Sequence, residues 1–234
     1  VYMQNSGLGN AVNPLLSLCD PDVYSIPVIM VVGFRGEPGV KDEPQHVKQG
    51  KVQLDLIKAL DLPCAIISKD EKDINTKVTD GIELAVSGSR PFVFIIKKGT
   101  FSKYRSESLS DEERMMNREE TLDIMLSQFP EDAIIVSTTG KTSREIFEIR
   151  ERSGKPHYKD FLTVGSMGHC SSIALGIALS NPDRKVVCID GDGALIMHMG
   201  SLSTVGKLKP ENFYHILINN QVHESVGGQV TSAR

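Results

Sequence analysis

Two short polar motifs follow apolar, strand-like segments in the second half of the chain. Gly191-Asp192-Gly193 comes directly after one apolar run, and Asn219-Asn220 follows the next run after 25 intervening residues. Because the carboxyl ends of parallel strands meet at one edge of a sheet, the motifs are expected to lie close together. Glycine lets backbone approach a phosphate, while Asp192 and Asn220 offer the oxygen ligands that Mg²⁺ prefers. The pair predicts a diphosphate and magnesium site.

Each motif has a simpler interpretation when it is taken alone. Gly-Asp-Gly is also typical of a plain turn, and Asn-Asn of a polar strand exit, since short motifs often match by chance. The joint pattern, with each motif placed after an apolar run, favours the phosphate and metal site. A flavin or nicotinamide site is disfavoured, because no GxGxxG follows a predicted strand.

The elements that must position these motifs alternate between strands and helices. Short apolar runs bounded by turn residues predict strands at 1–3, 27–33, 64–67, 92–96, 133–136, 161–164, 186–189 and 214–218. The intervening stretches predict helices at 9–19, 51–60, 71–87, 111–128, 142–152, 169–180 and 201–207. Such alternation predicts the α/β class, with doubly wound parallel sheets covered on both faces.

A loss of the apolar pattern divides the chain. Residues 97–113 are rich in charge and serine, and the strand–helix alternation restarts after them. We therefore expect two domains, at residues 1–108 and 109–234. The chain opens on the end of a strand, and sixteen residues follow the last predicted strand. The first domain is thus expected to lack its N-terminal part and the second its C-terminal part.

Composition excludes several classes of protein. The 234 residues are 40% hydrophobic and 24% charged, which is ordinary globular usage and excludes disordered or collagen-like chains. No run approaches the ~20 apolar residues of a membrane span, and a net charge of −4 argues against nucleic acid as a partner. The four cysteines form no CxxC pair and no signal peptide is visible, so a reducing, cytoplasmic location is expected.

Longer segments carry a resemblance to a known family. The spacing of the two motifs resembles the cofactor motif of thiamine-diphosphate-dependent decarboxylases. The similar segments are YMQNSGLGNAVNPL, GFRGEPGVKDEPQH, TTGKTSREIFE, LTVGSMGHCSSIALGIAL, GDGALIMHMGSLSTVGK and NNQVHESVGGQ. They are most similar to the members that act on phosphonopyruvate, with those acting on sulfopyruvate as near relatives.

The resemblance implies thiamine diphosphate and Mg²⁺ as cofactors. It assigns metal ligation to Asp192, to Asn220 and to the main-chain carbonyl of Val222. The backbone amides of Gly193 and Ala194 would contact the diphosphate. Each residue corresponds to a position of the family motif.

A second set of residues would hold the aminopyrimidine ring. The resemblance implies that the segment Gly165, Ser166 and Met167 contacts it, with Met167 as the apolar wedge that bends the cofactor. Without the resemblance, Met167 would be interpreted as a core residue. Asn5 and Gly7 match the turn of the pyrimidine-binding domain, which neighbours the cofactor across a subunit interface. A homo-oligomer, dimeric or larger, with sites between subunits is therefore expected.

Activity in this family also needs a glutamate that hydrogen-bonds to the pyrimidine ring. In the family it lies upstream of the turn that Asn5 and Gly7 match, on a segment outside this sequence. Glu37 and Glu43 belong to a different motif and do not replace it.

The reaction implied is the non-oxidative decarboxylation of phosphonopyruvate to phosphonoacetaldehyde and carbon dioxide. It would serve the biosynthesis of phosphonates such as 2-aminoethylphosphonate, with the cofactor as electron sink. Two alternatives stay open: sulfopyruvate as the small anionic 2-oxo acid, and a truncated, non-catalytic protein of the same fold.

The phosphonate group needs cationic partners. Candidates are Arg35 and Lys41 in a glycine-rich loop, with Lys141 and Arg144 at a predicted helix start, where amides favour anions. Each could instead be a solvated surface charge.

Two histidines flank the expected cleft in sequence. His46 and His223 could transfer a proton near neutral pH. An ordinary structural role is the alternative for both.

Overall fold

A computed structural model describes residues 1–102 and 116–233. The chain divides into two units, Val1–Tyr104 and Arg105–Arg234. The domain boundary predicted between residues 108 and 109 lies outside the described residues. No helix in the two described ranges combines the length and apolar character needed to cross a membrane.

The first unit is built on a four-stranded parallel sheet with strand order β1-β2-β4-β3. Its strands are β1 (Tyr2–Gln4), β2 (Ile29–Gly33), β3 (Cys64–Ile67) and β4 (Phe92–Ile96). Its helices are α1 (Leu8–Pro14), α2 (Pro44–Ala59) and α3 (Ile74–Ser87), with a 3₁₀ turn at Asn5–Gly7 and a π turn at Leu15–Cys19. The predicted strands 64–67 and 92–96 are confirmed to the residue.

Both faces of this sheet are covered by apolar side chains. Leu8 of α1 and Ile57 of α2 pack on one face, and Ala85 of α3 packs on the other. All five residues of β4 are buried because the strand lies between these two layers. The continuous apolar run of this strand follows from burial on both sides.

The start of α2 differs from the prediction. The helix begins at Pro44, not at residue 51, and Glu43 is its extended N-cap residue. Proline is favoured at the first helical position because its missing N–H has no intrahelical partner there. A Cβ at Gly50 would lie 1.9 Å from the carbonyl oxygen of Gly36, so glycine lets the helix contact the preceding loop. The loop that follows β2 is therefore shorter than the predicted loop at 34–50, because α2 begins within it.

The second unit contains a parallel sheet with strand order β6-β5-β7-β8. Its strands are β5 (Ile134–Ser137), β6 (Asp160–Leu162), β7 (Val186–Gly191) and β8 (Phe213–Ile218). Its helices are α4 (Arg118–Ser127), α5 (Lys141–Arg152), α6 (Cys170–Ser180), α7 (Asp192–Met197) and α8 (Ser201–Leu208). An antiparallel hairpin follows, formed by β9 (Val222–His223) and β10 (Gln229–Val230).

Helices cover both faces of this sheet as well. Leu122 of α4 and Ile146 of α5 pack on one face, while Ala174 and Ala178 of α6 pack on the other. The doubly wound α/β architecture is therefore confirmed in both units. The predicted helix 111–128 begins at Arg118 among the described residues, and its first predicted turn, 111–115, lies outside them.

Two elements of the second unit were not predicted. Asp192 does not sit in a plain turn but begins α7, with Gly191 as an extended N-cap. The hairpin β9–β10 was also missed, because its strands have only two residues each. The hairpin folds back over the carboxyl edge of the sheet, where the Thr231 N–H donates to the Gln221 carbonyl.

Candidate cofactor and active site

A cavity of about 80 Å³ lies at the carboxyl edge of the second sheet. β7 leads directly into Asp192 and β8 into Asn219-Asn220, as parallel neighbours. The predicted site residues on the cavity wall are Met167, Gly191, Asp192, Gly193, Ala194, Asn220 and Val222. His223 and Lys141 also line it. The fold thus gathers residues that are distant in the sequence.

Asp192 is held firmly at this edge. Its side chain is buried, with 4% of the residue exposed, and Oδ2 accepts a 2.6 Å hydrogen bond from Thr231 Oγ1. Within the described residues, Oδ1 accepts no hydrogen bond. One carboxylate oxygen is therefore fixed by the protein while the other stays free to coordinate a cation.

The second predicted ligand belongs to a tight turn after β8. Asn220 Oδ1 accepts a 3.2 Å hydrogen bond from the Val222 N–H, and Gln221 between them has a positive φ of 61°. An amide oxygen has two lone pairs, so this bond leaves one for a metal. A carboxylate, an amide oxygen and a main-chain carbonyl form the hard oxygen set that suits Mg²⁺. The residues present fit the implied metal.

The start of α7 supplies backbone donors to the cavity. Gly193 and Ala194 lie in its first turn, where N–H groups lack intrahelical acceptors. A Cβ at Gly193 would lie 2.5 Å from Nδ1 of His223, so the imidazole ring packs directly on this glycine. The glycine is therefore needed for the approach of His223, a contact that the sequence did not predict.

The loop before α6 has an unusual backbone. Ser166 has a φ of +55° and Gly168 a φ of +91°, both in the left-handed region. A Cβ at Gly168 would also lie 2.6 Å from the ring of His198. Left-handed non-glycine residues cluster at functional sites. Of the predicted Gly165, Ser166 and Met167, only Met167 lines the cavity.

A network of ion pairs closes one side of the cavity. Arg118 forms a bidentate ion pair with Glu145, with both hydrogen bonds at 2.6 Å. It also donates a 2.7 Å hydrogen bond to Glu224. Lys141 forms a salt bridge with the same Glu224. Arg144 is exposed and does not line the cavity. The two cations nearest the cavity therefore share one carboxylate.

The network shifts the pKa values of its members. Burial acts to raise the pKa of Glu224, but hydrogen bonds from Lys141 and Arg118 outweigh it, so the net pKa is lowered. The hydrogen bond to Glu145 raises the pKa of Arg118 above its usual range against the opposing effect of burial. Glu224 is thus ionised at neutral pH and Arg118 stays a cation.

Sequence reasoning missed several residues of this site. Arg118 and Glu224 are separated by 106 positions, and Asp192 and Thr231 by 39, so no local motif joins either pair. Glu224 does lie within the NNQVHESVGGQ segment, and a carboxylate among neutral residues was the available signal. Arg118 had no such signal.

The predicted turn of the first unit is held by Asn5. Its Nδ2 donates to the Arg35 carbonyl at 2.7 Å and to Gln53 Oε1 at 2.9 Å, and the residue is buried. Its Oδ1 is buried without a hydrogen-bond partner among the described residues. A Cβ at Gly7 would make only ordinary contacts, the nearest at 3.6 Å to Met3. The fold therefore requires Asn5 more strictly than Gly7.

The glycine-rich loop positions the remaining candidates of the first unit. Arg35 makes two hydrogen bonds to Asp42, at 2.9 and 2.6 Å, so its charge is already paired. These bonds hold the pKa of Asp42 well below its usual range. Lys41 is exposed beside this pair. Burial and the nearby Arg35 lower the pKa of His46, whose Nδ1 is buried without a partner in the described chain.

Comparisons with known proteins gave one match to a family model, within the second unit, and matches to individual relatives. Residues 138–234 match the family described as thiamine pyrophosphate enzyme, C-terminal TPP binding domain. The chain is 36% identical to phosphonopyruvate decarboxylase of Streptomyces viridochromogenes, covering 97% of this chain and 59% of that protein. The chain therefore spans under two thirds of that relative's length.

Two further relatives are subunits of sulfopyruvate decarboxylase. The β subunit from Methanocaldococcus jannaschii is 44% identical over 43% of this chain and 50% of the subunit. The α subunit from Methanothermobacter thermautotrophicus is 44% identical over 27% of this chain and 36% of the subunit. The resemblance predicted from the motifs is confirmed.

Proposed function

We propose that this chain, which matches the thiamine pyrophosphate enzymes over residues 138–234 and resembles phosphonopyruvate decarboxylase over nearly all its length, decarboxylates a 2-oxo acid with thiamine diphosphate and Mg²⁺. The substrate proposed is phosphonopyruvate, and the products are phosphonoacetaldehyde and carbon dioxide. The observation that supports the proposal is the convergence of Asp192, Asn220, Val222 and Met167 on one cavity.

The proposed roles follow from the chemistry of each group. Asp192, Asn220 and the Val222 carbonyl hold the metal, and the amides of Gly193 and Ala194 donate to the diphosphate. When bound, thiamine diphosphate supplies a nucleophilic carbon and a sink for the electrons released with carbon dioxide. A cavity of about 80 Å³ is smaller than a whole cofactor site, so it accounts for only part of one.

The pyrimidine end of the cofactor involves the remaining predicted contacts. Met167 supports the ring from the cavity side, with Gly165 and Ser166 on the same loop. Asn5 and Gly7 are proposed to approach the ring of a cofactor held by another subunit. A homo-oligomer with sites between subunits is part of this proposal. Relatives that are named as subunits support an assembly in general.

The charge network suggests how the phosphonate is recognised. Glu224 is a carboxylate that pairs with both Lys141 and Arg118. An incoming phosphonate could replace this carboxylate, because it offers the same cations more acceptor oxygens. Lys141 is the first candidate because it lines the cavity, Arg144 is the second, and Lys41 is the partner from the loop.

A proton must be delivered to carbon after decarboxylation. His223 is the better candidate because its ring packs on Gly193 at the cavity, and imidazole exchanges protons near neutral pH. His46 remains the candidate from the first unit.

The main alternative substrate is sulfopyruvate. Relatives named as α and β subunits of sulfopyruvate decarboxylase each resemble a part of this chain. A relative that is 36% identical over 97% of the chain is phosphonopyruvate decarboxylase, which favours phosphonate as the head group. Phosphonate biosynthesis in the cytoplasm is the setting proposed with it.

An assay of aldehyde release tests the proposal. The full-length protein, with thiamine diphosphate and Mg²⁺, is given phosphonopyruvate, sulfopyruvate or pyruvate in parallel. We expect kcat/KM to be highest for phosphonopyruvate, with omission of either cofactor as the control. A preference for sulfopyruvate would support the alternative, and no aldehyde from any acid despite cofactor binding would indicate a non-catalytic protein.

A further inference from the structure

A buried cluster of metal-ligating side chains lies on the α6 face of the second sheet. Cys170 Sγ and Cys188 Sγ are 3.4 Å apart, and a carboxylate oxygen of Asp190 completes a group whose ligand atoms all lie within 4.8 Å. All three residues are buried. His215 adds a fourth group, with Nε2 at 3.5 Å from Asp190 Oδ2.

The fold explains why these four side chains meet. Cys170 is the first residue of α6, and Cys188 and Asp190 are two positions apart on β7, so they point to the same face. His215 of β8 is the register partner of Cys188. None of the four lines the cavity that contains Asp192.

The polar groups of this cluster are poorly satisfied. Asp190 is 0% exposed, yet its Oδ2 has no hydrogen-bond partner among the described residues, and His215 Nε2 has none either. The Cys170 thiol has acceptors within reach, the Val136 carbonyl at 3.4 Å and the Ile189 carbonyl at 3.7 Å, but a thiol is only a weak donor. The other oxygen of Asp190, Oδ1, accepts a 3.0 Å hydrogen bond from the Gly191 N–H. Burying a carboxylate with one oxygen unsatisfied is costly, so a cation bound between these groups would explain the arrangement.

We propose that Cys170, Cys188, Asp190 and His215 bind a zinc-class divalent cation in tetrahedral geometry. Tetrahedral zinc, with Zn–S near 2.3 Å and Zn–N or Zn–O near 2.1 Å, separates two sulfurs by ~3.8 Å and a nitrogen–oxygen pair by ~3.4 Å. The corresponding separations here are 3.4 Å between sulfurs and 3.5 Å between Asp190 Oδ2 and His215 Nε2. These two separations are close to the tetrahedral values, and His215, which lies outside the three-residue group, would join it through its contact with Asp190.

The chemistry of the cluster distinguishes it from the proposed magnesium site. Thiolates and imidazole select zinc-class ions, whereas Mg²⁺ takes oxygen ligands. Binding displaces one proton from each thiol, and the neutral imidazole and ionised carboxylate complete four ligands. The ion would tie the start of α6 to β7, the strand that leads into Asp192.

Cobalt substitution tests the site without measuring catalysis. The full-length protein is stripped with a chelator and titrated with Co²⁺, whose thiolate complexes absorb by sulfur-to-metal charge transfer. We expect an intense band that saturates at an equimolar amount of Co²⁺ and disappears when Zn²⁺ is added. If the wild-type protein shows no such band, the proposal is wrong. This result does not depend on whether any of the variants folds.

Matched substitutions assign the band to this cluster. Cys170→Ser and Cys188→Ser should abolish it, whereas Cys64→Ser, an exposed cysteine, should leave it unchanged. His215→Gln should lower the Co²⁺ affinity by more than the ~10–100-fold effect typical of an outer-shell partner. Asp192→Ala should retain the band.

Two results would contradict the assignment. A band that persists in both Cys170→Ser and Cys188→Ser would place the cobalt elsewhere. Thiol titration of the unfolded, unreduced protein that finds Cys170 and Cys188 joined as a disulfide would show a redox pair instead. Thiamine diphosphate binding is measured separately, so failure here leaves the proposed function untouched.

Discussion

Thr231 Oγ1 donates a hydrogen bond of 2.6 Å to Oδ2 of Asp192. Both residues are buried, and the contact joins the residue after β10 to the first residue of α7. The bond restricts the rotation of the carboxylate and leaves its other oxygen available. Thr231 is therefore a positioning residue for the proposed metal ligand.

Thr231→Val should weaken Mg²⁺-dependent thiamine diphosphate binding by ~10–100-fold, the usual effect of losing an outer-shell partner. Thr231→Ser keeps the hydroxyl and should bind almost as well as wild type, which controls for packing. The dissociation constant is measured by calorimetry at several Mg²⁺ concentrations. Equal affinities for the valine and serine variants would contradict the role of the hydroxyl.

Substrate preference should depend on Lys141. Lys141→Ala removes a charge-assisted contact of ~1.5–3 kcal/mol and should lower kcat/KM for phosphonopyruvate by roughly 10- to 150-fold. Any weak activity on pyruvate should change little, because pyruvate lacks the second anionic group. Arg144→Ala and Lys41→Ala are compared in the same assay.

The control for this series is Lys155→Ala, a change at an exposed lysine away from the cavity. It should leave the preference for phosphonopyruvate over pyruvate unchanged. If the three test variants also keep the wild-type preference, the phosphonate is recognised by other residues.

The ion pair between Arg35 and Asp42 should make stability depend on pH. The hydrogen bond from Arg35 lowers the pKa of Asp42 in the folded chain, so the ionised pair stabilises the fold above the unfolded value of ~3.9. That contribution is lost as the pH falls through the lowered folded-state pKa. Asp42→Asn should therefore lower Tm at pH 7.

The difference in Tm between wild type and Asp42→Asn should shrink as the pH drops below about 4. Asp70→Asn, at an exposed aspartate, should give little difference at either pH. A Tm difference for Asp42→Asn that stays constant down to the acid limit would argue that the pair contributes nothing through its charge.

The proposed sites between subunits require an assembly. Sedimentation of the full-length protein at working concentrations should show a dimer or larger species, and decarboxylase activity should fall on dilution below the dissociation constant of the assembly. A stable monomer that retains full activity would rule out shared sites.

Two strands with a continuous apolar pattern were predicted to the residue, whereas the run predicted as a strand at 27–33 forms β2 only over Ile29–Gly33. β3 and β4 match their predicted bounds; all five residues of β4 are buried, because a central parallel strand needs apolar residues on both faces. The start of α2 could not be predicted, because its first turns are polar and its position depends on the contact of Gly50 with the preceding loop. Helix α7 was missed because two glycines in the motif favour a turn.

The candidate site was predictable where its residues lie in short motifs. Asp192, Asn220 and Met167 were each placed from local pattern or resemblance, and all three line the cavity. The contacts that fix their surroundings depend on tertiary structure. Neither the approach of Thr231 to Asp192 nor the sharing of Glu224 by two cations has a signature in the local sequence.

Calorimetric titration of thiamine diphosphate, with and without Mg²⁺, tests the assignment of the metal and diphosphate site most directly. Wild type should bind only when Mg²⁺ is present, because the proposed metal would be held by Asp192 and Asn220 and would support the diphosphate. Asp192→Ala should abolish this binding and Asn220→Ala nearly so, while Asp183→Ala, at an exposed aspartate, should bind as wild type does. Unchanged Mg²⁺-dependent affinity in both Asp192→Ala and Asn220→Ala would contradict the account.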